Sequence, residues 1–206
     1  MRSTPTGPWT SRHHRWEHVD QWWSAGLPIL DLADAQRELA RRWLARFGPA
    51  TVDDLQWWTG WGEATTARAI AGLPIEHVDL HGRPGIGLDL DEVAEGTELQ
   101  GPPIANLLPA LDPTAMGWKH RNWYLGIDPA AIFDRANIGP TVWWNGEIVG
   151  AWAVNSSGEI RTACPADRGG EASAAIATAA AHLQTRLNGA VPKSAIRTPL
   201  EQSLTG

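Results

Sequence analysis

The strongest constraint on how this chain folds is the spacing of apolar and stop residues between positions 31 and 90. In LDLADAQRELARRWLARFG, Leu32, Ala35, Leu39, Trp43 and Phe47 recur at helical spacing with Arg, Glu and Asp between them, the pattern of an amphipathic helix. Asp31 is placed to cap its start, Arg46 suits its last turn, and Gly48–Pro49 stops it. Thr51 opens a short second helix with Asp54 as a capping-box partner, and Gly60 ends it. A third helix is expected from Glu63 to about Ala71, with Ala67, Ile70 and Ala71 inward and Gly72 as its breaker. The short runs IEHVDL and GIGLDL, separated by the turn-rich HGRPG, then read as a β-hairpin. Three helices followed by a hairpin is the outline of a winged helix.

Residues 91–103 are acidic and rich in Gly and Pro, which places a boundary there. Beyond it the pattern turns to strands. ANLLPALD is apolar, Asn145–Gly146 supplies the type I′ turn for a hairpin in TVWWNGEIVGAWAV, and EIRTAC follows the turn NSSG. The alanine-rich EASAAIATAAAHLQTRL reads as a helix packed closely on the sheet, and AIRTPL as a returning last strand. The expected fold class is therefore α+β: an arm over 1–30, a winged helix over 31–92, and a small mixed α/β barrel-like domain over 100–206. Within the arm, Met1–Pro8 reads as an unstructured lead-in and residues 9–28 as an extended or partly helical segment.

Thirteen tryptophans in 206 residues raise the question of what they face. In FGPATVDDLQWWTGW, Val52, Leu55 and Trp58 share one helical face and are expected inward, while Trp57 is rotated roughly 100° from its neighbours and is expected between the two units. Asp53 and Asp54 precede these rings, so a phosphate-facing stack is disfavoured there. In the later hairpin, alternation sets Val142 and Trp144 opposite Trp143, so at least one tryptophan of Trp143, Trp144 and Trp152 is expected to face outward or into the interface.

Charge narrows the classes of partner. The formal net charge of −6 gives no overall attraction for a phosphate backbone, so nucleic-acid contact must rest on a local patch. Through Phe47 there are seven Arg against five Asp or Glu, and beyond it ten basic residues against eighteen acidic ones. The better electrostatic group is therefore Arg12, Arg15, Arg37, Arg41, Arg42 and Arg46, with Asp34 and Glu38 partly offsetting it. Thr65, Thr66 and Arg68 occupy the position of a groove-reading helix, and Arg83 sits at the hairpin tip. In MGWKHR, Lys119, His120 and Arg121 follow an aromatic ring, a pairing suited to gripping a backbone. In the bland reading, Trp118, Trp123 and Tyr124 fill a small core and the cations ring it.

The single cysteine, Cys164, excludes an internal disulfide or a multi-cysteine metal site and fits a reducing, cytoplasmic setting. His14 to His18 has the H-x-x-E-H spacing of some zinc peptidases, but no third ligand is offered, so no metal or cofactor is expected. There is no P-loop, dinucleotide glycine pattern or Cys/His nucleophile pair, no signal-peptide pattern, and no apolar run long enough to span a membrane.

RRWLARFGPATVDDLQWWTGW, LLPALDPTAMGWKHRNWYL, GPTVWWNGEIVGAW and the arm WTSRHHRW, taken in order, resemble the bacterial winged-helix DNA-binding domain-containing family that includes the AlkZ-like DNA glycosylases. The resemblance implies tandem winged-helix units followed by a barrel-like domain that helps clasp the duplex, with this chain matching the later portion. It also implies that the catalytic motif, Gln, an apolar or aromatic residue, then Gln or Asp, belongs to an earlier unit. The nearest look-alikes, Gln21-Trp22-Trp23 and Gln56-Trp57-Trp58, end in tryptophan, which can neither accept a proton nor stabilise a sugar cation. The expected function is a non-enzymatic module contacting double-stranded or damaged DNA without sequence preference. The alternatives are a protein-interaction scaffold, completed by a separate chain supplying the N-terminal unit, and a glycosylase acting on alkylated bases.

Overall fold

The computed structural model describes residues 2–5, 13–23, 25–89, 101–192 and 196–205. It begins with a hairpin of β1 (Arg2–Pro5) and β2 (His14–Glu17), antiparallel with Arg2 opposite Glu17, so part of the expected lead-in is a strand. The four-residue α1 (Val19–Trp22) follows.

The helical unit is α2 (Leu32–Phe47), α3 (Val52–Thr59) and α4 (Glu63–Ile70), then the wing strands β3 (Ile75–Asp79) and β4 (Pro84–Leu88). Local chemistry sets these limits. Asp31 accepts the amides of Ala33 (2.8 Å) and Asp34 (3.4 Å), satisfying donors that the first helical turn leaves unpaired. Thr51 and Asp54 form a reciprocal capping box, and Gly60 ends α3 at a left-handed φ of 70°. The wing turns at His81 and Gly82, both with positive φ, where Asp79 accepts the Gly82 amide at 3.0 Å. Ala50 exchanges both backbone hydrogen bonds with Ile86 and so attaches the α2–α3 loop to the wing. Trp43, Leu44, Leu55, Ala69 and Ile86 form the buried core of this unit.

Two inward assignments differ from the sequence pattern. Leu55 is fully buried, but Val52 and Trp58 stay 37% and 40% exposed, because Asp54 is drawn into the interior by partners beyond the helix and rotates that face inward. In α4 the buried positions are Thr66 and Ala69, while Ala67 is exposed.

The second unit contains β5 (Ala105–Leu108), a 3-10 turn at Pro113–Ala115, α5 (Pro129–Ile132) and the short strands β6 (Phe133–Asp134) and β7 (Asn137–Ile138). It continues with β8 (Thr141–Trp144), β9 (Glu147–Val154), β10 (Ile160–Ala163), α6 (Gly169–Leu187) and α7 (Pro199–Ser203). β10, β9, β8 and β5 form one antiparallel sheet in that order. Asn145 (φ 48°) and Gly146 (φ 86°) make the expected tight turn between β8 and β9. Val142 pairs with Gly150 and Trp143 with Ile148, so Val149 is an extra residue that bends the strand.

The sheet is open, and the expected barrel-like domain is not formed. Closing a sheet requires enough strands for the two edges to meet, about eight in small barrels. Among the described residues there are four, with β5 and β10 as the outer strands. The segment expected to return as a strand instead begins α7 at Pro199, after Thr198 in the N-cap position. The correct class for the described residues is α+β with a layered sheet. On one face Val142, Val149 and Trp152 pack with Ile176 of α6; on the other Trp143, Ile148 and Ala151 meet Tyr124, Ile132 and Ile138. Trp143 and Trp152 are thus buried on opposite faces, and Trp144 is half-buried. No described helix is long and apolar enough to cross a membrane.

Candidate functional site

The two units meet where α3 faces residues 118–121. Asp54, 2% exposed, is the centre of this contact. One carboxylate oxygen accepts the Thr51 amide at 3.0 Å and the Thr51 hydroxyl at 2.6 Å. The other accepts the amides of Lys119 and His120, both at 2.9 Å. A single capping side chain therefore starts α3 and fixes a loop 65 residues away. Trp118 reinforces the joint by donating its indole N–H to the Phe47 carbonyl at 2.9 Å. Gly117 lets the loop approach, since a Cβ there would fall 2.4 Å from the Phe47 ring.

Around this centre the cations of MGWKHR are engaged. Lys119 Nζ lies 2.8 Å from Asp53, and His120 Nε2 lies 3.0 Å from the same carboxylate. The hydrogen bond from Lys119, supported by His120, holds the Asp53 carboxyl below its usual pKa. With an ionised acceptor, the His120 ring must carry its proton on Nε2. Arg121 donates to the Trp118 carbonyl at 3.0 Å and places its guanidinium over both Trp57 (5.0 Å) and Phe133 (4.7 Å). Trp57 accordingly lies at the junction of the units.

Two clefts flank the joint. The first, about 530 Å³, lies between the wing, the α2–α3 loop and the 118–123 loop. Its apolar walls come from Phe47, Pro49, Ala50, Leu80, Trp118 and Trp123, and its polar lining from His81, Arg83, His120 and Asn122 together with Thr51 and Asp54. The second, about 500 Å³, is lined by Lys119, Arg121, Phe133 and Arg135 and shares His120 and Asn122 with the first. Among the described residues, the side chains of Arg83, Asn122 and Arg135 are exposed and make no hydrogen bond or ion pair. Trp123 is 58% exposed and is held edge-to-face by Trp118 and Tyr124, each with its ring centre 4.9 Å away. Tyr124 is fully buried, stacks on Trp143 and donates its hydroxyl to the Ala115 carbonyl; burial pushes its pKa well up.

The remaining sequence candidates are dispersed. Arg15 is exposed on β2, where the strand prevents His14 and His18 from sharing a helical face; Arg12 lies outside the described residues. On α2, Arg37 pairs with Asp34, and Arg41 and Arg42 both pair with Glu38. Those hydrogen bonds, Arg41 first, lower the Glu38 pKa to about 2. Thr66 is buried and donates its hydroxyl to the Gly62 carbonyl, while Arg68 reaches the half-buried Thr65 at 3.4 Å. Only Arg83 among the sequence candidates reaches the first cleft from the wing, beside His120 from the joint. Sequence reasoning did not select Asn122, His81 or Arg135. For His81 and Arg135 the available signal was the turn that each occupies; for Asn122 there was none beyond its place beside MGWKHR.

No group of three or more His, Cys, Asp or Glu suited to hold a metal occurs among the described residues. No curated protein sequence matches the chain. Among solved structures, the DNA glycosylase AlkZ of Streptomyces sahachiroi is similar, with a TM-score of 0.60 and 20% identity. The similarity covers 87% of this chain and 49% of that one, so this chain spans about half the length of that protein, and at this identity the likeness establishes the fold alone. The family model described as DNA glycosylase AlkZ-like matches residues 1–186. Matched over most of its length, the chain belongs to the AlkZ-like DNA glycosylase family.

Proposed function

We propose that the chain is a duplex-contacting module that grips the DNA backbone without reading its sequence. The observation that carries this reading is the pair of adjoining clefts sharing His120 and Asn122, with the unpaired guanidinium groups of Arg83 and Arg135 on their rims. Unpaired cations beside a groove are what a phosphate backbone requires, and family membership supplies the polymer. Contact without sequence reading is supported by α4, where Thr66 is buried and Thr65 is engaged by Arg68. The module is non-catalytic in this reading. Asp54 is the only carboxylate among the described residues lining either cleft, and both of its oxygens already accept two hydrogen bonds, leaving none placed to activate water.

Fluorescence anisotropy with a random-sequence duplex at about 50 and about 200 mM salt tests this, because each phosphate contact adds roughly 0.9 to the slope of log affinity against log salt. Replacing both Arg83 and Arg135 by Ala should lower that slope by about 1.8. An unchanged slope would remove the rim from the interface, and strand cleavage at alkylated sites after alkali would overturn the non-catalytic assignment.

A second reading is favoured by the apolar exposure near the N-terminal end, where Trp16, Trp23, Leu27 and Leu30 are more than half exposed and Ile29 is fully exposed. Such a patch suits contact with another protein chain. It predicts self-association or partner capture that Ile29→Asp abolishes, with duplex affinity unchanged; a monomer that captures nothing would remove it.

A further inference from the structure

We propose that the cleft between the wing and the 118–123 loop seats one unpaired nucleobase of bound DNA, stacked on Trp123 and hydrogen-bonded at its edge by Asn122. The inference rests on the duplex-contact reading and adds to it a preference for a base that has left the helix. The cleft, at about 530 Å³, falls within the roughly 300–1,000 Å³ range of small-molecule pockets. Its composition selects the ligand class. An inorganic anion would gain nothing from walls made by Phe47, Pro49, Trp118 and Trp123, and a purely apolar molecule would desolvate Asn122 and Arg83 without repaying them. A planar heterocycle carrying both donors and acceptors satisfies both halves of the lining, and the Asn122 amide offers one donor group and one acceptor to its edge. Arg83 at the same rim is placed for the adjoining phosphate. The His120 ring, with Nε2 engaged by Asp53, keeps Nδ1 as a second polar atom in the lining.

Concavity decides between paired and unpaired bases. A base inside a duplex shows only its groove edge, whereas a concave aromatic pocket needs a ring face. Trp123 is held for this role before any ligand arrives, since its contacts with Trp118 and Tyr124 set the ring angle while 58% of the residue stays exposed. The seat holds the base without cutting it, because Asp54, the one carboxylate lining the cleft among the described residues, is occupied on both oxygens.

The test is anisotropy with three labelled duplexes: fully paired, carrying a single-base bulge, and carrying the same bulge with an abasic nucleotide. The two bulges share the same backbone length and charge and differ in the presence of the base. Wild type should bind the base-containing bulge about five- to hundredfold more tightly than the abasic one, the range of base–aromatic stacking. Trp123→Ala should collapse this preference to within about twofold, and Trp123→Phe should restore part of it. Equal affinity of wild type for the two bulges, with the paired duplex still bound, overturns the seat alone. Failure to bind the paired duplex with the bulge preference intact overturns the contact reading and leaves the seat standing.

Discussion

Two neighbouring groups of cations in this protein have opposite fates. At the joint, Lys119 and His120 face Asp53, and Arg121 is held between Trp57 and Phe133. On the cleft rims, Arg83 and Arg135 face no carboxylate among the described residues. Composition treats the two groups alike, but their partners separate them: the first fixes one unit against the other, and the second is available to a ligand. Positive charge near an aromatic ring is therefore no sufficient sign of a binding surface. What matters is whether a carboxylate from another element has already claimed it.

The sharpest way to break this comparison is at Asp54. Asp54→Ala removes acceptors from the Thr51, Lys119 and His120 amides in a buried site, and should cost about 3–5 kcal/mol in urea unfolding. A loss below about 1 kcal/mol would mean that the joint is held elsewhere. Asp53→Asn should matter much less, under about 1 kcal/mol, because the Asp53–Lys119 pair is half exposed and screened by solvent. Because Asp53 is what withholds Lys119 from a ligand, this variant should also free that ammonium group and steepen the salt dependence of duplex binding. An unaltered slope would show that Lys119 stays out of the interface even when released.

The smallest effect is on α2. Arg41 and Arg42 hold the Glu38 pKa at about 2, below its ordinary value of 4.5. A depressed folded-state pKa contributes stability that is fully present above the unfolded value and is lost as pH falls through the folded one. The melting-temperature difference between wild type and Glu38→Gln should therefore be constant between about pH 5 and 7, shrink below about pH 4.5, and vanish only near about pH 1, below both pKa values. A difference that persists undiminished at about pH 1 would assign it to packing.

The parts of this arrangement that were legible in the sequence are those encoded within a few residues. Asp31 as a cap, the Thr51–Asp54 box, the stop at Gly48 and the Asn145–Gly146 turn all act over one turn of chain. The sheet's failure to close was not legible, since closure depends on strand number and on which segment returns; Pro199 after Thr198 was a local clue that AIRTPL starts a helix. The joint was half legible. Trp57 could be placed between units from its helical phase, but nothing within reach of Asp54 in sequence announces that its second oxygen serves Lys119 and His120. For the same reason MGWKHR reads as a backbone grip, whereas Asp53 has taken Lys119 and His120 and two aromatic rings hold Arg121.

The indole of Trp118 bonds to the Phe47 carbonyl across 71 positions of chain. The first cleft therefore has walls that a long loop must bring together, unlike the caps and turns that form over a few residues. Closing such a loop carries an entropic cost that local contacts do not share. The pocket is therefore expected to form after its individual helices. Separating Trp118 from Phe47 parts two walls of the cleft, so the pocket exists only while the joint is closed.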